Sequence, residues 1–391
     1  MRSHELAEPE LCANQVSIHG AGELPRANLM RNLYGILGIP VDTDSLEDVV
    51  RKIRLAKFDR RPTMISTPNL NFLVASLTDE VLRQSLLASD LCSIDGTPIL
   101  WLSRLFGIPV NGRVAGADFF DALRKSGGER DPVKVFLFGG APGVAEAAAR
   151  AVNSKSSGVI CVGSLYPGYG SIEEIGDPNT INTINASGAD FLVVSLGAQK
   201  GQAWLLRNQD KLTVPVRSHL GAAINFEGGT LKRAPSAFRR FGFEWLWRIR
   251  EEPYLWRRYW RDGKIFLALL LGRALPLAVL VRYHRAMGRQ VAFDLTLTDA
   301  SDLPAVVSIE GTAMEGNVES AVRVFERALS EGRDIWVDLS KVGFVDPRYF
   351  GLFIVVRKYL GETGRQLRFV NVRRSTRRLF RLNAFEYLLD T

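Results

Sequence analysis

From Leu33 to about residue 230, short uninterrupted apolar runs alternate with amphipathic stretches, and few folds can absorb that pattern. Residues 133–140 (VKVFLFGG), 158–166 (GVICVGSLY) and 190–197 (DFLVVSLG) are apolar at consecutive positions, so each needs cover on both faces of a sheet. Between them, residues 44–57, 141–154 and 177–187 carry apolar residues at helical spacing, the first opened by Asp44 or Ser45 as N-cap. The alternation implies a parallel sheet with helices on both sides. Residues 31–230 are therefore expected to form one α/β domain whose first strand is YGILGIPV (34–41). An irregular extension over residues 1–30 precedes it, with no basic stretch leading into an apolar run, so no secretory signal is expected.

The texture changes near residue 231. Residues 231–289 hold 14 lysines and arginines against 4 acidic residues, while the whole chain of 391 carries a net charge of only +8. The rest of the chain is thus close to neutral, and one segment owns the basicity. Such a segment fits nucleic acid, phosphorylated ligands or an anionic membrane. Trp245, Trp247, Trp256 and Trp260 are interleaved with its arginines, and an apolar run follows at 265–281. Amphipathic aromatics flanked by cations suit a lipid headgroup region, which favours a membrane surface over nucleic acid. The apolar run contains Arg273 at its centre and Pro276, which is expected to break a helix. A membrane-spanning helix is disfavoured, and residues 231–290 are expected to be an interfacial appendage, with a buried core helix as the plainer alternative. From residue 291 to 391, four strand-like and three helical stretches predict a separate α+β unit.

Several residue groups carry chemistry. Asp95 ends a predicted strand in SIDGTPI, where a carboxylate faces the crevice of an open α/β sheet and suits a general base. It equally suits an N-cap for the helix beginning near Thr97. Thr67, Asn69 and Asn71 hold the same topological position and could bind sugar hydroxyls or serve as turn and cap residues. Gly139, Gly140 and Gly143 lie between a buried strand and a helix, either as a phosphate cradle or as a tight turn. Asp42-Thr43-Asp44 has the D-x-D form of a metal site, but it precedes a helix start, where carboxylates cap. Three cysteines and four histidines are scattered along the chain, so neither a disulfide framework nor a metal site is expected.

Taken in order, STPN, Asp95-Gly96, RVAGADF (113–119), FLFGG, LGAQK, LKRAP (231–235), FEWLWRI (243–249) and EEPYLWRRY (251–259) resemble the WecG/TagA/CpsF glycosyltransferase family over residues 31–262. The resemblance implies a Rossmann-like (GT-E type) domain and metal-independent, inverting transfer from a UDP-sugar to a polyprenyl-diphosphate-linked saccharide. The sugar would be N-acetylmannosamine, its uronic acid or glucose. It implies Asp95 as base, Thr67, Asn69, Arg113 and Gln202 as substrate-side residues, and Arg248 and Arg258 as appendage arginines balancing the diphosphate. It implies no cofactor, and a place at the cytoplasmic face of the cell membrane. Departures from the family pattern fall at Gly201, Gln202, Asn225 and Leu255, and bear on the sugar recognised. Residues 293–391 resemble a STAS domain, but the loop before its central helix (Asp346 to Gly351) contains no serine, so a phosphoserine switch is not expected. Docking of a protein partner through this tail stays open. The alternative to an enzyme is a membrane-recruited STAS regulator that senses nucleotide-sugars without turnover.

Overall fold

The computed structural model describes residues 28–390 except 127–130, 156–157, 222, 236–237, 239–241, 288–292 and 299–303, so nearly all of the expected 1–30 extension lies outside the described residues. Two short strands, β1 (Leu33–Ile36) and β2 (Ile39–Asp42), form an antiparallel hairpin where the sequence reads as one strand. Leu37 and Gly38 close it at φ +45° and +91°, the two left-handed residues of a type I′ turn. Leucine is a poor occupant of that conformation, which is why the turn carries no signal. Its side chain is fully buried. That burial, worth about 1.5–3 kcal/mol, offsets a left-handed cost of roughly 1–2 kcal/mol.

The expected parallel sheet has six strands: β3 (Thr63–Ser66), β4 (Leu91–Cys92), β5 (Val133–Gly139), β6 (Val159–Leu165), β7 (Phe191–Ser195) and β8 (Val216–His219). Their order is β4-β3-β8-β7-β5-β6, all parallel. Ile65, Val135 and Val193 pack on one face against helices Leu46–Phe58, Gly116–Ser126 and Val144–Lys155. Met64, Phe136 and Leu192 pack on the other against Pro178–Ala186 and Ala198–Asn208. This is the doubly covered, Rossmann-like arrangement that consecutive apolar positions require.

A smaller α+β unit follows. Its sheet runs β12 (Leu367–Val370), β11 (Ile335–Val345), β10 (Ala305–Ala313), β9 (Phe293–Thr298), with only β9 antiparallel to its neighbour. It does not stand apart. Helix Pro347–Glu362 lies on β1, and one apolar cluster runs from Leu33 and Ile36 through Phe350 and Phe385. Glycines make the contact: a Cβ on Gly351 would sit 1.9 Å from the Leu33 carbonyl oxygen, and one on Gly35 would sit 2.5 Å from Phe350 Cβ. Arg348 donates to the Leu33 carbonyl at 3.1 Å, Tyr34 to Glu315 at 2.7 Å and Tyr387 to the Gly38 carbonyl at 3.0 Å.

The appendage is helical, and Pro276 does not break it. Helix Trp256–Leu269 passes through a π turn, Leu270–Ala274, into Leu275–Met287. Within that turn the Leu275 N–H donates to the Leu270 carbonyl, five residues back. The wider turn reshapes the carbonyl ladder just before the proline, where an α-helical ladder would meet a ring and a missing N–H. By length and composition the run Pro253–Met287 could cross a membrane. One face, with Leu269, Ala274, Leu277, Ala278 and Val281, is instead buried on the shared core. Trp256, Trp260, Leu267, Leu271, Leu275, Val279 and Tyr283 are exposed on this helix.

Candidate active site

A cavity of about 770 Å³ opens at the C-terminal ends of β4, β3, β8 and β7, roofed by the appendage. The sheet contributes Thr67, Asn69, Asp95, Gly197 and His219, and the appendage contributes Glu244, Trp245, Arg248, Arg258 and Trp260. Asp95 follows β4, and its N–H donates to the Pro68 carbonyl at 3.1 Å, pinning the two strand-end loops together. The helix beyond it, Thr97–Leu105, has Gly96 as N-cap and no side-chain cap bond. Asp95 is therefore not spent on capping. Asn69 is: its side-chain oxygen accepts from the N–H groups of Asn71 and Phe72 at the start of Leu70–Ser76, while the residue still lines the cavity.

Three carboxylates surround one guanidinium. Arg113 donates to Glu244 at 2.6 Å and lies 3.5 Å from Asp118 and 3.8 Å from Asp95. Asp118 is gripped from behind by Arg233. Burial pushes the Asp95 carboxyl up to about 8; Arg113 opposes this, and the Glu244 and Asp118 charges add to it. About a quarter of the Asp95 side chain remains open to the cavity. A carboxylate held so weakly by its neighbours is a proton acceptor poised above neutrality. Across the cavity, Arg248 pairs with Glu252 at 2.6 Å. Arg258 has no carboxylate partner among the described residues, and its Nε is buried without a hydrogen bond. A guanidinium in that state suits an anionic ligand.

A family model for the WecG/TagA/CpsF glycosyl transferases matches residues 34–278, well over half the chain. The chain belongs to the WecG/TagA/CpsF glycosyltransferase family. A STAS domain model matches residues 297–389, so the smaller unit is a STAS domain fused to the transferase. An N-acetylglucosaminyldiphosphoundecaprenol N-acetyl-β-D-mannosaminyltransferase of Bacillus spizizenii is 29% identical over 47% of this chain and 69% of its own length. A Staphylococcus aureus protein of the same name is 24% identical over 58% of this chain and 86% of its own.

Not every residue singled out from the sequence reaches this cavity. Gln202 is fully buried, with its amide exchanging hydrogen bonds with Ser66 and Ser85 under the sheet. Gly139 and Gly140 form a turn off the cavity lining: a Cβ on Gly139 would meet the Ser195 carbonyl at 2.4 Å, and the Gly140 N–H already donates to that carbonyl. Gly143 faces open space beside the same turn. Asp42 accepts from Arg31 and from the Cys92 N–H, Asp44 pairs with Lys52, and Ser45 caps the first helix through a box with Asp48. Conversely, the sequence reading passed over Glu244, Asp118, His219 and Asp262. Asp262 is buried and accepts from Asn71 at 3.0 Å, tying the appendage to the rim. Glu244 sits within the FEWLWRI motif and Asp118 within RVAGADF, beside residues that drew notice; His219 and Asp262 stand outside those motifs and join the site only through the fold.

Proposed function

We propose that this chain is an inverting, metal-independent hexosyltransferase that moves a sugar of the N-acetylmannosamine type from a UDP-sugar to a polyprenyl-diphosphate-linked saccharide in cell-surface polymer synthesis. The carrying observation is Asp95: a cavity carboxylate free of capping duty, raised in proton affinity, facing arginines across the space. The names of the two relatives support the acceptor and the sugar class. In the reaction, Asp95 takes the proton of the acceptor hydroxyl as its oxygen attacks the anomeric carbon. UDP leaves from the opposite face of the sugar, which inverts the centre. The diphosphate charge falls to Arg258 and Arg248, preorganised cations in a partly dry cavity. Asp42 and Asp44 are already committed to Arg31 and Lys52, which supports charge neutralisation by arginine rather than through a D-x-D metal.

The reaction is proposed to take place on the inner face of the cell membrane. The exposed apolar residues of the long helix, flanked by exposed Arg250, Arg257, Arg261 and Lys264, match an anionic lipid surface. The test is a panel of UDP-sugars with a short polyprenyl-diphosphate-N-acetylglucosamine acceptor, with and without EDTA. Sugar transfer with UDP release, undiminished by EDTA, is expected. A protein that releases no UDP with any donor would instead fit the non-catalytic sensing role. Activity lost in EDTA and restored by Mn²⁺ would remove the arginine mechanism.

A further inference from the structure

His219 ends β8, the strand next to β3, and lines the same cavity as Asp95. It is only 4% exposed, and its Nε2 is buried with no hydrogen-bond partner. A buried polar atom left unpaired is costly unless something outside the protein completes it. The ring also occupies a space made for it. A Cβ on Gly201, in helix Ala198–Asn208, would come within 2.2 Å of His219 Cδ2, and Phe72 closes another side with ring centroids 6.4 Å apart. Burial pulls the imidazole down to about 4, so it is neutral at physiological pH. A neutral ring is a poor match for a diphosphate, which has Arg258 and Arg248 at hand, and a good match for an uncharged polar substituent.

Position narrows the substituent. His219 lies two strands from the Asp95 end of the sheet, about 10 Å at ordinary strand spacing, with Thr67 and Asn69 on the intervening strand end. A base that deprotonates the attacking hydroxyl must sit next to the anomeric carbon, so a span of that length covers the transferred sugar rather than the nucleoside beyond two phosphates. The geometry points to His219 as the residue that reads the transferred sugar, through one hydrogen bond from its Nε2 to the acetamido oxygen at C2. Gly201 is the positioning residue that gives the ring its room. This inference rests on the UDP-sugar reading above.

The experiment measures kcat/KM for UDP-N-acetylmannosamine and UDP-glucose with the wild-type chain, His219→Phe, Gly201→Ala, His219→Gly and the double variant Gly201→Ala/His219→Gly, with thermal melting beside each. The phenylalanine keeps the ring and removes the nitrogen. The ratio between the two donors should shrink by about tenfold or more, because a lost hydrogen bond is felt by one sugar and not the other. Gly201→Ala should collapse the ratio in the same way while the protein remains folded, since alanine suits a helix better than glycine. The double variant should show no further penalty from the added methyl group. His219→Phe with the wild-type donor ratio overturns the inference while leaving the transferase reading intact. If that variant does not fold, an unchanged ratio in Gly201→Ala overturns it instead. A wild-type chain that turns over no UDP-sugar overturns both.

Discussion

Two aspartates stand just before helices in this protein, one buried and one partly open, and they do opposite things. Asp346 is the N-cap of Pro347–Glu362: it accepts from the N–H groups of Arg348, Tyr349 and Glu315 and is 1% exposed. Burial raises its carboxyl only to about 6, because those backbone donors favour the charged form. Asp95 has no capping role and a 3.8 Å contact with Arg113, and its carboxyl is pushed up to about 8. Local sequence does not separate them, since Asp-Gly and Asp-Pro both read as helix starts. What separates them is how many donors the fold aims at each carboxylate. A saturated aspartate fixes a helix start inside its own unit, and an unsaturated one stays open to the cavity.

The largest expected break in that comparison is Asp95→Asn. Turnover should fall by roughly 10²–10⁴-fold, the usual contribution of a general base, with donor affinity little changed. The wild-type kcat/KM should rise with pH and level off near the raised Asp95 value, because the base works only when ionised. A profile already flat from pH 6 would remove Asp95 from that role. Next in size comes Arg258→Ala, which takes away the cavity cation with no carboxylate partner. Loss of a charge-assisted bond worth about 1.5–3 kcal/mol corresponds to roughly 10- to 150-fold in kcat/KM. Arg248→Ala should cost less, since that guanidinium already shares its charge with Glu252.

The Asp346 side of the comparison should answer in stability. Gly351→Ala places a methyl group on the Leu33 carbonyl, and overpacking of this kind costs about 1–3 kcal/mol. Its melting temperature should drop, and a drop of similar size should appear in Tyr34→Phe/Arg348→Leu. Asp346→Asn should change little at low pH, because its amide oxygen can still cap. The sign for the wild type follows from the raised value: the unfolded carboxyl ionises near 4 while the folded one holds its proton to about 6. This contribution to stability is therefore lost as pH rises from 4 to 6. The asparagine variant should lose less across that window, and parallel melting curves for the two proteins would count against this account.

Much of the fold could be read because burial on two faces leaves a pattern in the chain itself. β5, β6 and β7 are such runs, and the helices between them carry one apolar stripe each. The hairpin β1–β2 was not readable, since Leu37 is held in a left-handed turn by tertiary burial rather than by turn chemistry. Nor was the passage of the helix through Pro276, which depends on a π turn with no residue signature of its own. Asp95, Arg113, Arg248 and Arg258 lie in sequence motifs and line the cavity. Glu244 and His219 gain meaning only from what faces them across the cavity, and Gln202, which the family resemblance implied as a substrate-side residue, points into the core.

The smallest expected effects concern the exposed side of the long helix, and they divide its two attractions. Leu271 and Val279 lie on its exposed apolar side, and Arg257 and Arg261 are exposed near its start. If the helix rests in the headgroup region, its apolar residues act through area and its cations through surface charge. Leu271→Ser/Val279→Ser should then weaken co-sedimentation with neutral and anionic vesicles alike. Arg257→Gln/Arg261→Gln should weaken it with anionic vesicles alone, and only at low salt. Each cation near an anionic surface contributes about 1 kcal/mol, so the paired arginine variant should lose roughly 30-fold in partitioning at most, and less where one side chain stays in bulk water. Neither pair lines the cavity, so turnover on a water-soluble acceptor should stay at the wild-type level. Full-length protein that stays in the supernatant with anionic vesicles at low salt would show that the stripe covers something other than lipid.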